Sequence, residues 1–267
     1  MKPFDRRQTL LRDKAAEQPV ESALISEEPL SIRIDGTPYV VIMRTPGDEI
    51  AHAAGFCLAE GIVDRPADIG TIGFCSEEDT NTVTVTLAAE RRGIVTKTLE
   101  RRSFISQTSC GICGKEVVKD LQQSIPALPD GPALLSSAAP AVIDELSRSQ
   151  ILRQTTRASH AAGLFTAKGE LLSVAEDVGR HNALDKAVGR LFLKNKLTQA
   201  QILALSSRIS YELVQKAARA RIPIVVAVSR PTTLAVDLAE RLNMTLACLA
   251  PGGGIFIYCG DARLPAA

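Results

Sequence analysis

Leu30 to Ile34 alternates apolar and polar residues, Asp35-Gly36 follows as a turn pair, and Tyr39 to Met43 is an apolar run. That order predicts a β-hairpin. Asp48 then stands where a helix would be capped, the helix is expected to run to about Glu60, and Gly61 supplies the stop. Three further strands are expected at Thr71 to Cys75, Thr82 to Leu87 and Ile94 to Leu99. The segment Ser106 to Lys115 has neither period, Lys115 to Gln123 suits a short helix, and Pro126 to Pro132 suits a connector.

Beyond Pro132 the pattern changes. Ala141 to Thr155 is amphipathic at the helical period, and Leu164 to Ala167 with Leu171 to Ala175 across Lys168-Gly169 predicts a second hairpin. Strands at 202–205, 224–228 and 245–248 then alternate with helices at 181–193, 209–220 and 232–242, and a last strand falls at 255–258. Alternation of this kind implies a layered α/β domain with a largely parallel central portion. The expected organisation is a mobile arm over 1–22, a small α+β domain over 23–106, and an α/β domain over 107–267.

Composition narrows the function classes. The 267 residues are 45% hydrophobic and 23% charged with a net charge of +1, which suits a globular protein and gives no ground for nucleic-acid or membrane-surface binding. No apolar run reaches the roughly 18 residues of a membrane span. The first twenty residues are charged and lack a signal-peptide core, so a cytoplasmic location is expected. Six cysteines are too few for a disulfide scaffold. Cys57, Cys248 and Cys259 lie in or beside apolar stretches and read as buried small hydrophobes, while Cys75 receives no role.

Ligands of α/β sheets sit beyond the carboxyl ends of the strands. Three such junctions carry unusual chemistry: Ser206-Ser207-Arg208, Ser229-Arg230-Pro231-Thr232-Thr233, and Leu249-Ala250-Pro251-Gly252-Gly253-Gly254. Hydroxyls, arginines and free N–H groups at helix starts suit a phosphate, and a triple glycine lets a backbone approach a bulky ligand. Ser207, Arg208, Ser229 and residues 249–254 are therefore candidate binding residues. The densest polar cluster, Glu176 to Asn182, adds Asp177, Arg180 and His181, since capping alone would not require an arginine, a histidine and an asparagine in succession. His160, alone among small residues, reads by itself as a structural hydrogen-bonder.

Cys110-Gly111-Ile112-Cys113 admits three chemistries. Zinc would need a second ligand pair, and neither another C-x-x-C nor an H-x(3–5)-H follows. Thioredoxin-like redox work would place the pair at the start of a helix directly after a strand, whereas this pair lies in a glycine-containing loop. A sulfur carrier needs an exposed, mobile thiolate of lowered pKa, for which Gly111, Gly114 and Lys115 are suited, and a second thiol that can release the sulfur. Spacing alone does not choose among them.

Taken in order, these stretches resemble the formate dehydrogenase accessory sulfurtransferase family, FdhD. The matching runs are His52 to Phe56 through Ile62, Ser109-Cys-Gly-Ile-Cys-Gly114, Ser159-His-Ala-Ala162, Glu176 to Lys186, Ser206 to Lys216, and Thr232 to Val236 through Leu246. The resemblance implies a cytidine-deaminase-like three-layer α/β fold without the zinc site, and a homodimer. It implies that sulfur from a cysteine desulfurase passes to the molybdenum cofactor carrying two guanine dinucleotides (bis-molybdopterin guanine dinucleotide), before that cofactor enters the formate dehydrogenase catalytic subunit. By the same resemblance Cys110 matches the persulfide-bearing cysteine and Cys113 its partner, Leu249 to Gly254 matches the cofactor loop, and His160 joins the cofactor-binding residues; GDP or GMP would serve as ligand mimics. The alternative is a cofactor-binding chaperone without chemistry of its own. The chain departs from the family pattern at Arg157, where glycine is common, and at Pro251 to Gly254, where a basic residue is common. The second departure moves the expected phosphate contacts toward Arg180 and Arg208.

Overall fold

The computed structural model describes residues 2–13, 16–76, 80–94, 125–131, 133–134 and 136–266. The hairpin signal at Asp35-Gly36 is realised as β3 (Glu28–Ile34) paired antiparallel with β4 (Thr37–Arg44). Both turn residues have positive φ, 47° and 82°, as a tight primed turn requires. Strands β5 (Ile69–Phe74) and β6 (Thr82–Leu87) complete a four-stranded sheet in the order β4-β3-β6-β5. The strand expected over Ile94 to Leu99 falls largely outside the described residues, and residues 89–94 are helical.

The first 22 residues, expected as an arm, contain paired strands. β1 (Phe4–Arg12) and β2 (Glu17–Ile25) form a two-stranded antiparallel ribbon. Its hold is polar and cross-strand: Arg6 meets Glu21 and Arg12 meets Glu17, each at 2.7 Å, and Thr9 and Ser22 hydroxyls are 2.7 Å apart. Charged cross-strand pairs leave no apolar period in the sequence, which is why the ribbon has no hydrophobic signature.

The second half builds a six-stranded sheet in the order β12-β11-β10-β9-β7-β8. Its members are β7 (His160–Phe165), β8 (Leu171–Asp177), β9 (Ile202–Leu205), β10 (Ile224–Ala227), β11 (Thr245–Leu249) and β12 (Ile255–Cys259). β9, β10 and β11 are parallel, while β7 runs antiparallel to β8 and β9, and β12 antiparallel to β11. The helix expected over Ala141 to Thr155 is two helices, α2 (Ala139–Arg148) and α3 (Ile151–Thr156). The break has a cause in the Glu176 carboxylate, which accepts the N–H groups of Leu152 (2.6 Å) and Arg153 (2.8 Å) and so starts α3 afresh.

Val142, Ile143 and Leu146 of α2 cover one face of this sheet through Phe165, Ala204 and Val226. The other face, through Leu164, Leu205 and Val225, meets α4 (Arg180–Leu193), α5 (Tyr211–Arg219) and α6 (Thr233–Arg241). The same apolar cluster continues through helix α1 (Glu49–Ala59) into Leu30, Ile32, Val83 and Val85 of the four-stranded sheet. α1 is therefore buried on nearly every side, in keeping with the small residues Ala51, Ala53, Ala54 and Gly55. The expected boundary near residue 106 lies outside the described residues, and the portions on either side of it share this one core.

The α1–α4 contact is made at backbone level. A Cβ on Gly189 would stand 1.8 Å from the carbonyl oxygen of Ala51, and one on Gly55 would stand 2.0 Å from that of Asp185. No rotamer change relieves a clash with a carbonyl, so only glycine fits either place. Gly189→Ala is expected to lower stability in urea unfolding by about 3 kcal/mol, at the upper end for overpacking. Gly73→Ala, whose Cβ would meet nothing within 4 Å, serves as the control and should change little.

Candidate functional site

Strand directions gather the candidate residues on one edge. β7 is antiparallel to its neighbours, so its first residue His160 lies opposite Asp177, the last of β8, and Ala162 lies opposite Leu205, the last of β9. Leu205 in turn pairs with Ala227, and Ala227 with Cys248. The start of β7 and the carboxyl ends of β8, β9, β10 and β11 thus form a single rim. Along it stand His160, Arg180, His181, Ser207, Arg208, Ser229 and the 249–254 loop.

Asp177, expected as a ligand-binding residue, is committed to the fold. It is fully buried, and its Oδ2 accepts from Lys186 Nζ at 2.6 Å and Thr45 N–H at 3.0 Å. Its Oδ1 accepts from the Gly179 N–H at 2.8 Å and from Asn182 Nδ2 at 2.9 Å. Four donors fill a carboxylate's lone pairs, leaving nothing for a ligand. Asn182 also donates to Met43 O (2.8 Å) and Lys186 to Thr45 O (2.7 Å), so the cluster clamps the end of β4. Glu176 is likewise occupied by α3 and by the Ser159 hydroxyl at 2.7 Å.

With Asp177 setting the turn, α4 begins at Arg180 and presents Arg180 and His181 on the rim. Arg180 Nε is buried without a hydrogen-bond partner. His181 Nε2 lies 3.3 Å from Ser210 Oγ and 3.0 Å from Glu212 Oε2, and that contact holds the Glu212 carboxyl below its usual range. His160 is held below the usual histidine range by burial, then by Arg180, Arg153 and His181. The three carboxylates nearest the rim, Glu176, Asp177 and Glu212, are thus each engaged, while Arg180 and Arg208 stand along it, a field suited to an anion.

The neighbouring junctions are pinned by backbone pairing. Ser206 Oγ accepts the Ala161 N–H at 2.8 Å, and the Ile209–Pro231 bridge joins the loops after β9 and β10. Ser207 is buried with its hydroxyl on Arg208 O at 3.0 Å, whereas Arg208 and Ser229 are exposed. In the last loop Ala250 N–H bonds Gly254 O at 2.8 Å. Gly252 and Gly253 take φ of 84° and 93°, with open space where a Cβ would stand. Leu249 and Ala250 are half-buried, and Pro251 to Gly254 are exposed.

The cysteine pair Cys110 and Cys113 lies outside the described residues. Of the others, Cys57 and Cys248 are buried, and burial pushes the Cys57 thiol far above its ordinary pKa, which removes it as a nucleophile. Cys259 is half-buried with its thiol 3.5 Å from Met244 O, and Cys75 is exposed. Among the described residues, no group of three or more His, Cys, Asp or Glu is placed to hold a metal ion. Nor, among them, is any helix long and apolar enough to cross a membrane.

Lys186 and His52 have structural roles that the sequence does not mark. A lysine four residues after an asparagine on a helix has no sequence mark that distinguishes a buried ion pair from a solvated face. His52 on α1 is fully buried, and neither ring nitrogen meets a partner with hydrogen-bond geometry.

The fold and rim define a mixed α/β protein with an anion-receptive edge on its larger sheet. The chain belongs to the FdhD/NarQ family, whose model matches residues 25–265. It is 39% identical over 254 residues to the sulfur carrier protein FdhD of Streptomyces avermitilis, covering 90% of this chain and 88% of that one. The protein of the same name from Mycobacterium tuberculosis is 38% identical over 251 residues, with 90% and 91% covered. A crystal structure of a formate dehydrogenase accessory protein from Desulfotalea psychrophila shares the fold, with a TM-score of 0.78 at 22% identity over 99% of this chain and 100% of that one.

Burial, followed by Lys186, Lys216 and Arg44, holds the His52 pKa well below the usual range, opposed by Asn182. The folded protein therefore keeps His52 neutral while the unfolded chain takes up a proton below its own pKa of about 6.5. The resulting stability is fully present above that pH and falls by about 1.4 kcal/mol per pH unit below it, until the folded pKa is reached. Urea unfolding of the wild type and His52→Gln between pH 7 and 5 checks this; the variant should show a shallower loss by close to one proton.

Proposed function

We propose that the protein is a sulfur carrier in formate dehydrogenase maturation. It takes sulfur from a cysteine desulfurase as a persulfide on Cys110 and delivers it to bis-molybdopterin guanine dinucleotide, its substrate. The observation that carries the reading is the convergence of His160, Arg180, His181, Ser207, Arg208, Ser229 and the open 249–254 loop on one sheet edge. Family membership supports it, as do relatives named sulfur carrier proteins. Under this reading the protein works in the cytoplasm as a homodimer and hands the sulfurated cofactor to the formate dehydrogenase catalytic subunit. The run β8-β7-β9-β10-β11, with β7 reversed and helices on both faces, supports a cytidine-deaminase-like assignment of the larger portion.

The two thiols supply the two electrons of the release step. The Cys110 thiolate attacks the terminal sulfur of the desulfurase persulfide, and the donor cysteine leaves as a thiolate. Cys113 thiolate then attacks Cys110 Sγ; the Sγ–sulfane bond breaks, a Cys110–Cys113 disulfide forms, and sulfide leaves with the electron pair to replace an oxo ligand on the substrate's molybdenum, which departs as water. The sulfane sulfur is reduced by two electrons, the thiol pair is oxidised, and an external dithiol resets the pair. The rim's own residues have a separate task. The Arg180 Nε left without a partner and the Arg208 guanidinium suit phosphate oxygens, and the Gly252–Gly253 backbone admits a close approach.

Incubation with a cysteine desulfurase and cysteine should add the mass of one sulfur atom to the wild type and not to Cys110→Ala. An unlabelled wild type, or label surviving in the variant, would overturn the persulfide assignment; target activation left intact in Cys110→Ala would favour the chaperone reading instead.

Calorimetry should show GDP bound in the micromolar range or tighter, about −8 kcal/mol, and more tightly than ADP. Equal or tighter ADP binding would remove the guanine assignment.

A further inference from the structure

One group on the rim is not used by the phosphate contacts. Arg230 follows Ser229 in the loop after β10, and its guanidinium carbon lies 5.2 Å from the centre of the Phe256 ring. Phe256 belongs to β12 and pairs with Cys248, so it stands beside the chain's return from the 249–254 loop. The two residues thus come from the loop after β10 and from the strand that follows the 249–254 loop, side by side on the rim.

The stack is built on a fixed frame. The Arg230 carbonyl accepts the Ile209 N–H at 3.4 Å, the adjacent Pro231 bridges Ile209, and the Thr232 N–H reaches Ile209 O at 3.0 Å. Thr232 then caps α6 by accepting the Ala235 N–H at 3.3 Å. Phe256 is nevertheless 41% exposed, with Val228 at 42% and Leu234 at 39%. Among the described residues no carboxylate pairs with Arg230. A guanidinium held over an aromatic ring without an acid partner presents a flat, weakly hydrated cationic surface, and flat heteroaromatic bases stack on arginine planes and aromatic faces.

We propose that Arg230 and Phe256 form a stacking platform for the purine base of the nucleotide whose phosphates rest on the 249–254 loop. The inference deepens the proposed function and rests on its nucleotide reading. A stacking platform does not choose guanine over adenine, since every purine has the same kind of π-face. It separates nucleotides that carry a purine from ligands that carry phosphates alone.

The chain has no tryptophan, so Phe256→Trp introduces its single indole. GDP should quench that fluorescence and inorganic pyrophosphate should not. Phe74→Trp, placed at an exposed position of the four-stranded sheet, should show no quench with either. In calorimetry on the full chain, Phe256→Ala and Arg230→Lys, which keeps the charge and loses the plane, should each weaken GDP by about tenfold or more. Pyrophosphate affinity should stay at the wild-type value in both, which also reports that the rim is folded. If wild-type protein binds GDP but Phe256→Trp is not quenched and both variants keep wild-type affinity, the platform is wrong and the nucleotide reading stands. If wild-type protein binds no GDP, the nucleotide reading fails and the platform with it.

Discussion

The carboxylate of Asp177 holds the two sheets in register and fixes the start of the helix that carries the rim. It lies at the last position of β8, buried, with Lys186 of α4 on one oxygen at 2.6 Å. The same oxygen takes the Thr45 N–H just after β4, while Lys186 donates to Thr45 O. One ion pair therefore joins the larger sheet, helix α4 and the hairpin end of the smaller sheet. The other oxygen, through Gly179 and Asn182, shapes the turn from which α4 begins. Move that turn and Arg180 and His181 leave the rim.

The second constraint is steric and acts along the same helix. Gly189 and Gly55 let α4 and α1 meet backbone to backbone, which fixes their separation more tightly than interlocking side chains would. Asp185 and Lys216 then tie α4 to α5 at 2.7 Å, and Arg219 of α5 reaches the carbonyl of Leu58 in the last turn of α1 and that of Val63 just after it, each at 3.0 Å. Burial raises the Asp185 pKa while Lys216 opposes it, so the pair holds position at an electrostatic cost. Stiffness is concentrated behind the rim. The open glycine loop and the exposed Arg208, Ser229 and Arg230 lie in front of it.

Much of the fold was legible because its signals are local. Asp35-Gly36 marked the first hairpin, the runs at 82–87 and 202–205 became β6 and β9 with the same bounds, and Thr232 was placed at the start of α6 that it caps. What was not legible depends on distant partners. The β1–β2 ribbon is held by charge pairs across strands, and the α2–α3 break is made by a glutamate 24 residues away. The site divides in the same way. Strand order gathered the predicted residues on one edge, but charge type alone could not show that Asp177 faces inward. The role of Arg230 is not legible in its junction, because the Phe256 ring it lies over is on the strand after another loop.

A buried ion pair is often no more stable than an apolar replacement of the same volume, so its presence needs a reason beyond stability. Here the reason is in the remaining contacts of the carboxylate. Besides Lys186 it satisfies the N–H groups of Thr45 and Gly179, both in turns that offer no ladder partner. An apolar pair at 177 and 186 would fill the volume but strand those two donors and the Thr45 carbonyl, each at about 1–3 kcal/mol. The ion pair is therefore inseparable from the backbone route it serves: two chain turns, one from each sheet, brought close enough that only a carboxylate with four acceptor sites can satisfy both. That geometry sends Arg180 outward to the rim and keeps Asp177 away from it, so the rim's positive character follows from the fold's own use of its acids.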